Sequence, residues 1–412
     1  MNPEVVIFGG GITGLWLLDE LRRQGKSAIL FDKNGLGTGQ TITSQGIIHG
    51  GLKYTLTGQL TGSAQRIREM PARWNDSLQA QQEPHLDQVA IRSHYCYLWR
   101  TNSMSSQFGM IGARIGLRVT PEKMEQAEIP ELLQQAHGDV YKLPETVVSP
   151  HSLIEVLAQR NAGSLFQIPA SCRIEFLSAK PKEIWGVRLV NRDQEWILSP
   201  RSFIFTAGQG NESLRELAGL EPHRMQRRPL HMLLLRGNLP DFCGHCVDGA
   251  KTRLTITSER MGPDDCVWQV GGQLAEVGTR LETLELIRHG IQELKVVLPH
   301  LNLTGIQATT YHVDRAEGVT SAGTRPESPC VIRDRSIITC WPTKLALAPV
   351  AVEEVLQSLA GIPATTAQTG ARDWSQPQNW PMATVAQNPW DAIHKWVSLD
   401  QLQAQGNTSK VA

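Results

Sequence analysis

No charge of either sign predominates in this sequence. Lys plus Arg and Asp plus Glu each number 40 in 412 residues, so the formal net charge is zero. That balance gives no reason to expect nucleic acid or an anionic membrane as a partner. No run approaches the ~20 apolar residues that cross a bilayer. The first strand starts by about residue 4, which leaves no room for a signal peptide, and a cytoplasmic location is expected. The seven cysteines are odd in number and scattered, unlike a secreted disulfide framework. Their one close pair, Cys243-Gly244-His245-Cys246, copies a thiol-redox tetrapeptide. It sits between Leu239-Pro240 and Val247-Asp248-Gly249, however, and reads as a loop holding reduced thiols. A fourth ligand at matching spacing is missing, so no metal site is expected. Internal repeats are lacking too. With 41% hydrophobic and 19% charged residues, the chain is globular and long enough for two domains.

Glycine is what the chain has in telling places. Val5-Val6-Ile7-Phe8 predicts a buried parallel strand. It runs into Gly9-Gly10-Gly11-Ile12-Thr13-Gly14, a Gly-x-Gly-x-x-Gly at Gly9, Gly11 and Gly14. Leu15, Leu17, Leu18 and Leu21 then give a helical pattern stopping at Gly25. A second strand, 27–31, ends at Asp32, 18 residues beyond Gly14. The glycines allow a tight turn, close approach to a pyrophosphate and close helix–strand packing. The helix N-terminus offers N–H donors to phosphate, and Asp32 can accept from both ribose hydroxyls. A dinucleotide site follows from the whole unit in register. The polar, glycine-rich loop from Lys33 through Thr43-Ser44-Gln45-Gly46 then lies where a chain would track an extended ligand. It tilts the dinucleotide toward FAD.

Together with His49-Gly50-Gly51-Leu52-Lys53-Tyr54, these residues resemble the D-amino-acid-oxidase-type flavoprotein superfamily. The nearest branches are the FAD-dependent glycerol-3-phosphate dehydrogenases and, more loosely, the 2-hydroxyglutarate oxidases. The resemblance implies an α/β fold, α+β overall: a Rossmann-like FAD-binding domain built from discontinuous segments, with an inserted mixed-sheet substrate domain. The cofactor segments are expected at 1–84, 144–220 and 311–360, and the substrate domain at 85–143 and 221–310. Thr206-Ala207-Gly208 after the strand 202–205 would be the second FAD contact, and Thr343-Lys344-Leu345 the last. In that last contact Lys344 and a helix N-terminus would stabilise charge at N1 and O2 of the reduced ring. Trp341 and Pro342 stand where relatives carry one or two glycines.

The same resemblance implies that Arg325, in Gly323-Thr324-Arg325-Pro326, binds the substrate's anionic group. Lys53 and Arg333 would assist, Tyr54 would line the pocket, and His231 would face the substrate. His49 or His231 would take the substrate proton. The expected reaction is oxidation of a CH–OH or CH–NH group of a small anionic substrate by hydride transfer to flavin N5, with a 2-hydroxy acid or polyol phosphate favoured. The electron acceptor could be oxygen, quinone or another protein. Two alternatives stand beside it: an amine or amino-acid oxidase of the same superfamily, and a non-catalytic FAD-binding assembly protein.

Smaller elements are expected as well: helices over 60–80, 121–135, 152–159, 281–297 and 347–359, with β-like composition over 89–99. The tail, 361–412, carries Trp374, Trp380, Trp390 and Trp396. It should pack on the body, on a second copy or on a protein partner. Its last residues, 405–412, look disordered.

Overall fold

The computed structural model describes residues 2–50, 62–101, 121–179, 183–248, 251–362, 377 and 379–408. Two sheets dominate it. The first has six strands, in spatial order Cys330–Asp334, Ile337–Trp341, Ser202–Phe205, Val5–Phe8, Ala28–Asp32 and Leu165–Gln167. All neighbours are parallel except the outer pair Cys330–Asp334 and Ile337–Trp341.

Both faces of this sheet are covered, which is why its strands read as unbroken apolar runs. Val5, Ile7, Leu30 and Ile204 bury toward the helices Ile12–Arg23 and Ala348–Ala360. Val6, Phe8, Phe31, Phe203 and Phe205 bury on the other face, against Val187, Trp196 and Leu198 of a three-stranded antiparallel sheet. The carboxyl ends of four parallel strands therefore open along one edge, leading into Gly9, Lys33, Thr206 and Pro342. Such an edge is where open α/β sheets bind ligands.

The second sheet has nine strands, and its longest pair is Met225–Gly237 with Gln307–Gly318. One face, with Leu233, Leu235 and Trp268, packs on the helix Thr283–Val297 through Leu286, Ile287 and Leu294. The opposite face, with Met232, Leu234 and Tyr311, turns toward the first sheet's ligand edge.

Several elements differ from the sequence reading. Residues 121–135 form the short strand Glu122–Lys123 and the 3-10 turns Gln126–Glu128 and Glu131–Leu133, not a helix. Pro130 holds Ile129 extended and breaks the run. Cys243–Cys246 is not a loop: Gly244–Asp248 is an inner strand, parallel to Cys96–Arg100. Residues 311–318 continue a strand of the large sheet, although the last cofactor segment was expected to begin there. The helix Leu399–Thr408 takes up 405–408, part of the stretch whose composition suggests disorder.

The tail is a strap on the body. Gln167 donates to the Pro381 carbonyl at 2.8 Å, and Ala386 to that of Leu36 at 3.0 Å. Val397–Ser398 then adds a strand beside Gln307–Gly318. Trp380 is buried, donates to the Gln167 carbonyl at 2.9 Å and meets Trp196 edge-on at 5.4 Å. Trp380→Ala is expected to cost about 3–5 kcal/mol, read as a lowered midpoint in chemical denaturation. Trp374 lies outside the described residues. No helix among the described residues is long and apolar enough to cross a membrane.

Candidate active site

The glycine turn forms a cradle that tolerates no added atoms at two points. Gly9 has φ +111°, and a Cβ there would lie 2.4 Å from the Ala207 backbone. A Cβ on Gly14 would lie 2.0 Å from the Gly9 carbonyl oxygen. The helix Ile12–Arg23 thus abuts the strand, with Gly11 as its N-cap and Thr41 Oγ1 accepting from the Ile12 N–H at 3.1 Å. Asp32 closes the second strand. Its Oδ2 accepts from the Gly10 N–H at 2.7 Å and its Oδ1 from that of Asn34 at 2.9 Å. Burial pushes the Asp32 carboxyl up, against these backbone donors. Lys33 beside it is exposed.

Next to the cradle is a cavity of about 450 Å3 between the two sheets. The loop Thr43, Ser44, Gln45 and Gly46 forms one wall, and Pro342, Thr343, Lys344 and Leu345 another. This loop is anchored across the interface. Gln45 Nε2 donates to the carbonyls of Thr255 and Gln269, both at 3.0 Å, and Tyr311 donates to the Thr43 carbonyl at 3.0 Å.

His49, Glu145 and His245 meet at the cavity wall. Glu145 Oε2 faces His49 Nδ1 at 3.4 Å and His245 Nε2 at 3.2 Å, while its Oε1 accepts from the Gly50 N–H at 2.8 Å. Burial would raise the Glu145 carboxyl, but the charges and hydrogen bonds of the two histidines outweigh it and hold the group well below the carboxylate range. Desolvation pushes His49 below 6.5, opposed by Glu145 and assisted by Lys344 and His245.

Arg315, Arg325, Lys251 and Lys344 also line the cavity, with Glu276. Burial, together with the charges of Arg228 and Arg325, pushes the Arg315 guanidinium down to about 10. Its ion pair with Glu276 is loose, at 3.7 Å. Arg228 is held instead by the fully buried Glu317, at 2.7 and 3.3 Å.

Two expected site residues lie elsewhere. Strand alternation sends Leu230 and Met232 into the cavity, so His231 between them faces the other side. Its Nδ1 lies 3.0 Å from the Gly278 carbonyl and its Nε2 2.7 Å from Thr310 Oγ1, and its ring stacks on His312 at 3.7 Å. His231 is a satisfied core histidine. Arg333 is exposed and donates to the Gly361 carbonyl at 2.8 Å, finishing the helix Ala348–Ala360 rather than entering the cavity. Lys53 and Tyr54 lie outside the described residues.

The family of proteins described as FAD dependent oxidoreductase (DAO) matches residues 4–328 of this chain. The chain belongs to the DAO family of FAD-dependent oxidoreductases. A Pseudomonas aeruginosa protein named "Probable FAD-dependent oxidoreductase" is 35% identical over 364 residues, covering 87% of this chain and 91% of its own. The crystal structure of the FAD dependent oxidoreductase from that organism superposes with a TM-score of 0.77 at 32% identity, over 94% of this chain and 97% of that one. The L-α-glycerophosphate oxidase of Mycoplasma pneumoniae shares the fold at a TM-score of 0.61 and 13% identity, over 94% of this chain and 99% of that one.

FAD is the cofactor of this DAO-family enzyme, and the structure can be tested against it. Thr13, Ser44 and Thr343 each bury a hydroxyl that finds no partner among the described residues. Ser44 and Thr343 line the cavity, and Thr13 stands in the first turn of the cradle helix. Buried hydroxyls of this kind need a hydrogen-bonding group, which a flavin dinucleotide carries along its length. Gly9, Gly11, Ile12 and Gly14 supply the turn, and Asp32 a carboxylate at the ribose end. Ala207 and Gly208 follow the neighbouring strand. The residues present fit FAD. Trp341, at the place of the missing glycines, is itself buried, and the cavity is walled by the residues after it.

Sequence reasoning missed Glu145, His245 and Arg315. Arg315 had a usable signal: with Tyr311 and Val313 it alternates along one face of its strand. Glu145 lies in a short connection after Pro144, with no periodicity to mark it.

Proposed function

We propose that this enzyme oxidises the CH–OH group of a small anionic substrate, a 2-hydroxy acid or a polyol phosphate, with the 2-hydroxy acid favoured. The observation that carries this reading is one cavity lined both by a histidine–carboxylate pair and by two half-buried arginines, Arg315 and Arg325. Arg325 and Arg315 hold the carboxylate, because a planar guanidinium matches its two oxygens. His49 keeps its Nδ1–H on Glu145, which leaves Nε2 as a lone-pair acceptor. A hydroxyl gives up its proton poorly by itself, and a neutral imidazole is the right acceptor near pH 7. The Glu145 carboxylate then stabilises the imidazolium that forms. When bound, FAD supplies the acceptor for the hydride removed from the substrate carbon.

Lys344 brings positive charge to the cavity wall just before the helix Ala348–Ala360. Lys344→Met is expected to slow flavin reduction more than it weakens FAD binding. Stopped-flow reduction as fast as wild type would remove Lys344 from this role.

Glu276 supports a second reading, because a carboxylate at the same wall could hold an ammonium group and make the substrate an amino acid. Anaerobic addition of 2-hydroxy acids, polyol phosphates and amino acids, each scored by flavin bleaching, separates the two.

A further inference from the structure

The tetrapeptide Cys243-Gly244-His245-Cys246 does not form a dithiol pair. On the strand Gly244–Asp248, side chains alternate between faces. Cys243 and Val247 pack with Cys96 and Leu98, while Cys246 packs in the core under the helix Thr283–Val297. The two thiols therefore point to opposite faces and cannot pair. His245 shares the face of Cys243 and reaches the cavity wall. Gly244 allows this placement, because a Cβ there would come within 2.7 Å of the Tyr97 carbonyl oxygen on the neighbouring strand.

We propose that His245 is a positioning residue for His49, acting through Glu145. This rests on His49 being the proton acceptor. The Glu145 carboxylate, which only accepts, places a proton of His245 on Nε2, and Thr255 Oγ1 lies 3.1 Å from Nδ1, where its hydroxyl serves as the ring's second partner. That N–H donates to Glu145 Oε2, the same oxygen that faces His49 Nδ1. The Gly50 N–H occupies Oε1. A buried carboxylate with three donors has one orientation, and it in turn fixes the tautomer and ring plane of His49. With His49 neutral before reaction, the Glu145 carboxylate beside it is the negative group of the cluster. That charge is the counterpart of the imidazolium formed at His49 in the reaction. The groups facing His49 are Glu145, His245 and Lys344. The Cys96 thiol packs behind Glu145 and donates to its backbone carbonyl at 3.6 Å.

The test compares His245→Phe, which deletes the donor, with His245→Gln, which keeps an N–H at similar reach. In the holoenzyme, His245→Phe should lower the rate of anaerobic flavin reduction about 10- to 100-fold, within the range a general base contributes. It should also move the acid limb of the pH profile upward, since Glu145 then has one donor fewer and pulls harder on His49. His245→Gln should restore most of both. Flavin content and thermal unfolding of each variant report whether the fold survives. An NMR titration of histidine-labelled holoprotein reads the His49 pKa without any substrate. It keeps the relay testable if no substrate of the panel bleaches the flavin, the outcome that would instead overturn the proposed function. An unshifted His49 titration in His245→Phe would overturn the relay. So would activity lost on chelator treatment and restored by Zn2+. The three donor groups lie within 4.8 Å of one another, and that result would make them ligands instead.

Discussion

Gly14→Val is expected to give a colourless protein. A side chain at this position starts with a Cβ 2.0 Å from the Gly9 carbonyl oxygen and 2.7 Å from Thr206 Oγ1. Neither neighbour can give way cheaply. Gly9 is backbone held in a left-handed turn, and Thr206 Oγ1 donates to that same carbonyl at 2.8 Å. The helix Ile12–Arg23 must therefore lift away from Val5–Phe8, taking its N–H groups away from the phosphates. Flavin absorbance per protein after gel filtration checks this. Gly11→Ala separates cofactor loss from a damaged fold. Its Cβ would meet only Thr41 Oγ1, at 3.2 Å, a side-chain atom that has to give by a few tenths of an ångström, far less than at Gly14. The Gly11 backbone is where the diphosphate is expected to come closest. Gly11→Ala should keep the wild-type circular dichroism and thermal midpoint yet bind FAD at least 10-fold more weakly. Undiminished FAD affinity in Gly11→Ala would show that the diphosphate lies elsewhere.

His49→Gln is expected to lower the rate of flavin reduction by substrate by about 10²- to 10⁴-fold, the usual contribution of a general base. The substrate affinity should change little, because the anionic group is held by Arg325 and Arg315 rather than by the imidazole. The pH profile gives a second reading of the same role. Only neutral His49 can accept a proton, and desolvation holds its pKa below 6.5 despite Glu145. Wild-type reduction should therefore stay level through neutrality and fall as the pH drops through a value under 6.5. The variant should lose that limb. A His49→Gln enzyme that reduces at the wild-type rate would hand the proton to a different acceptor.

The cradle was legible because everything it needs is local. Within 32 residues the sequence shows an apolar run, three spaced glycines, a 3.6-residue pattern and a terminal acid. The cavity's chemistry was harder to see, because it depends on which way a strand's alternation is phased. His231 and Arg315 each sit in strands that were foreseeable in part, yet one faces the helix layer and the other the cavity. Composition does not set that phase; the packing of Thr283–Val297 on Leu233 and Leu235 does. His245 was hidden for another reason. Its strand is buried on both sides, begins at Gly244 and ends at Asp248, and follows Pro240, residues that ordinarily signal a turn. Glu145 could be recognised only once three distant segments had met. Arg333 shows the opposite error, where similarity to a motif outweighed the simpler use of an arginine to finish a helix.

The most direct measurement is the absorbance spectrum of the purified enzyme under nitrogen, before and after addition of 2-hydroxy acids and their amino-acid counterparts. The expected result is an oxidised-flavin band that bleaches with a 2-hydroxy acid and survives the matching amino acid. A band that bleaches with the amino acid alone would contradict the proposed substrate class. A preparation that is colourless and takes up no FAD would contradict the cofactor site itself.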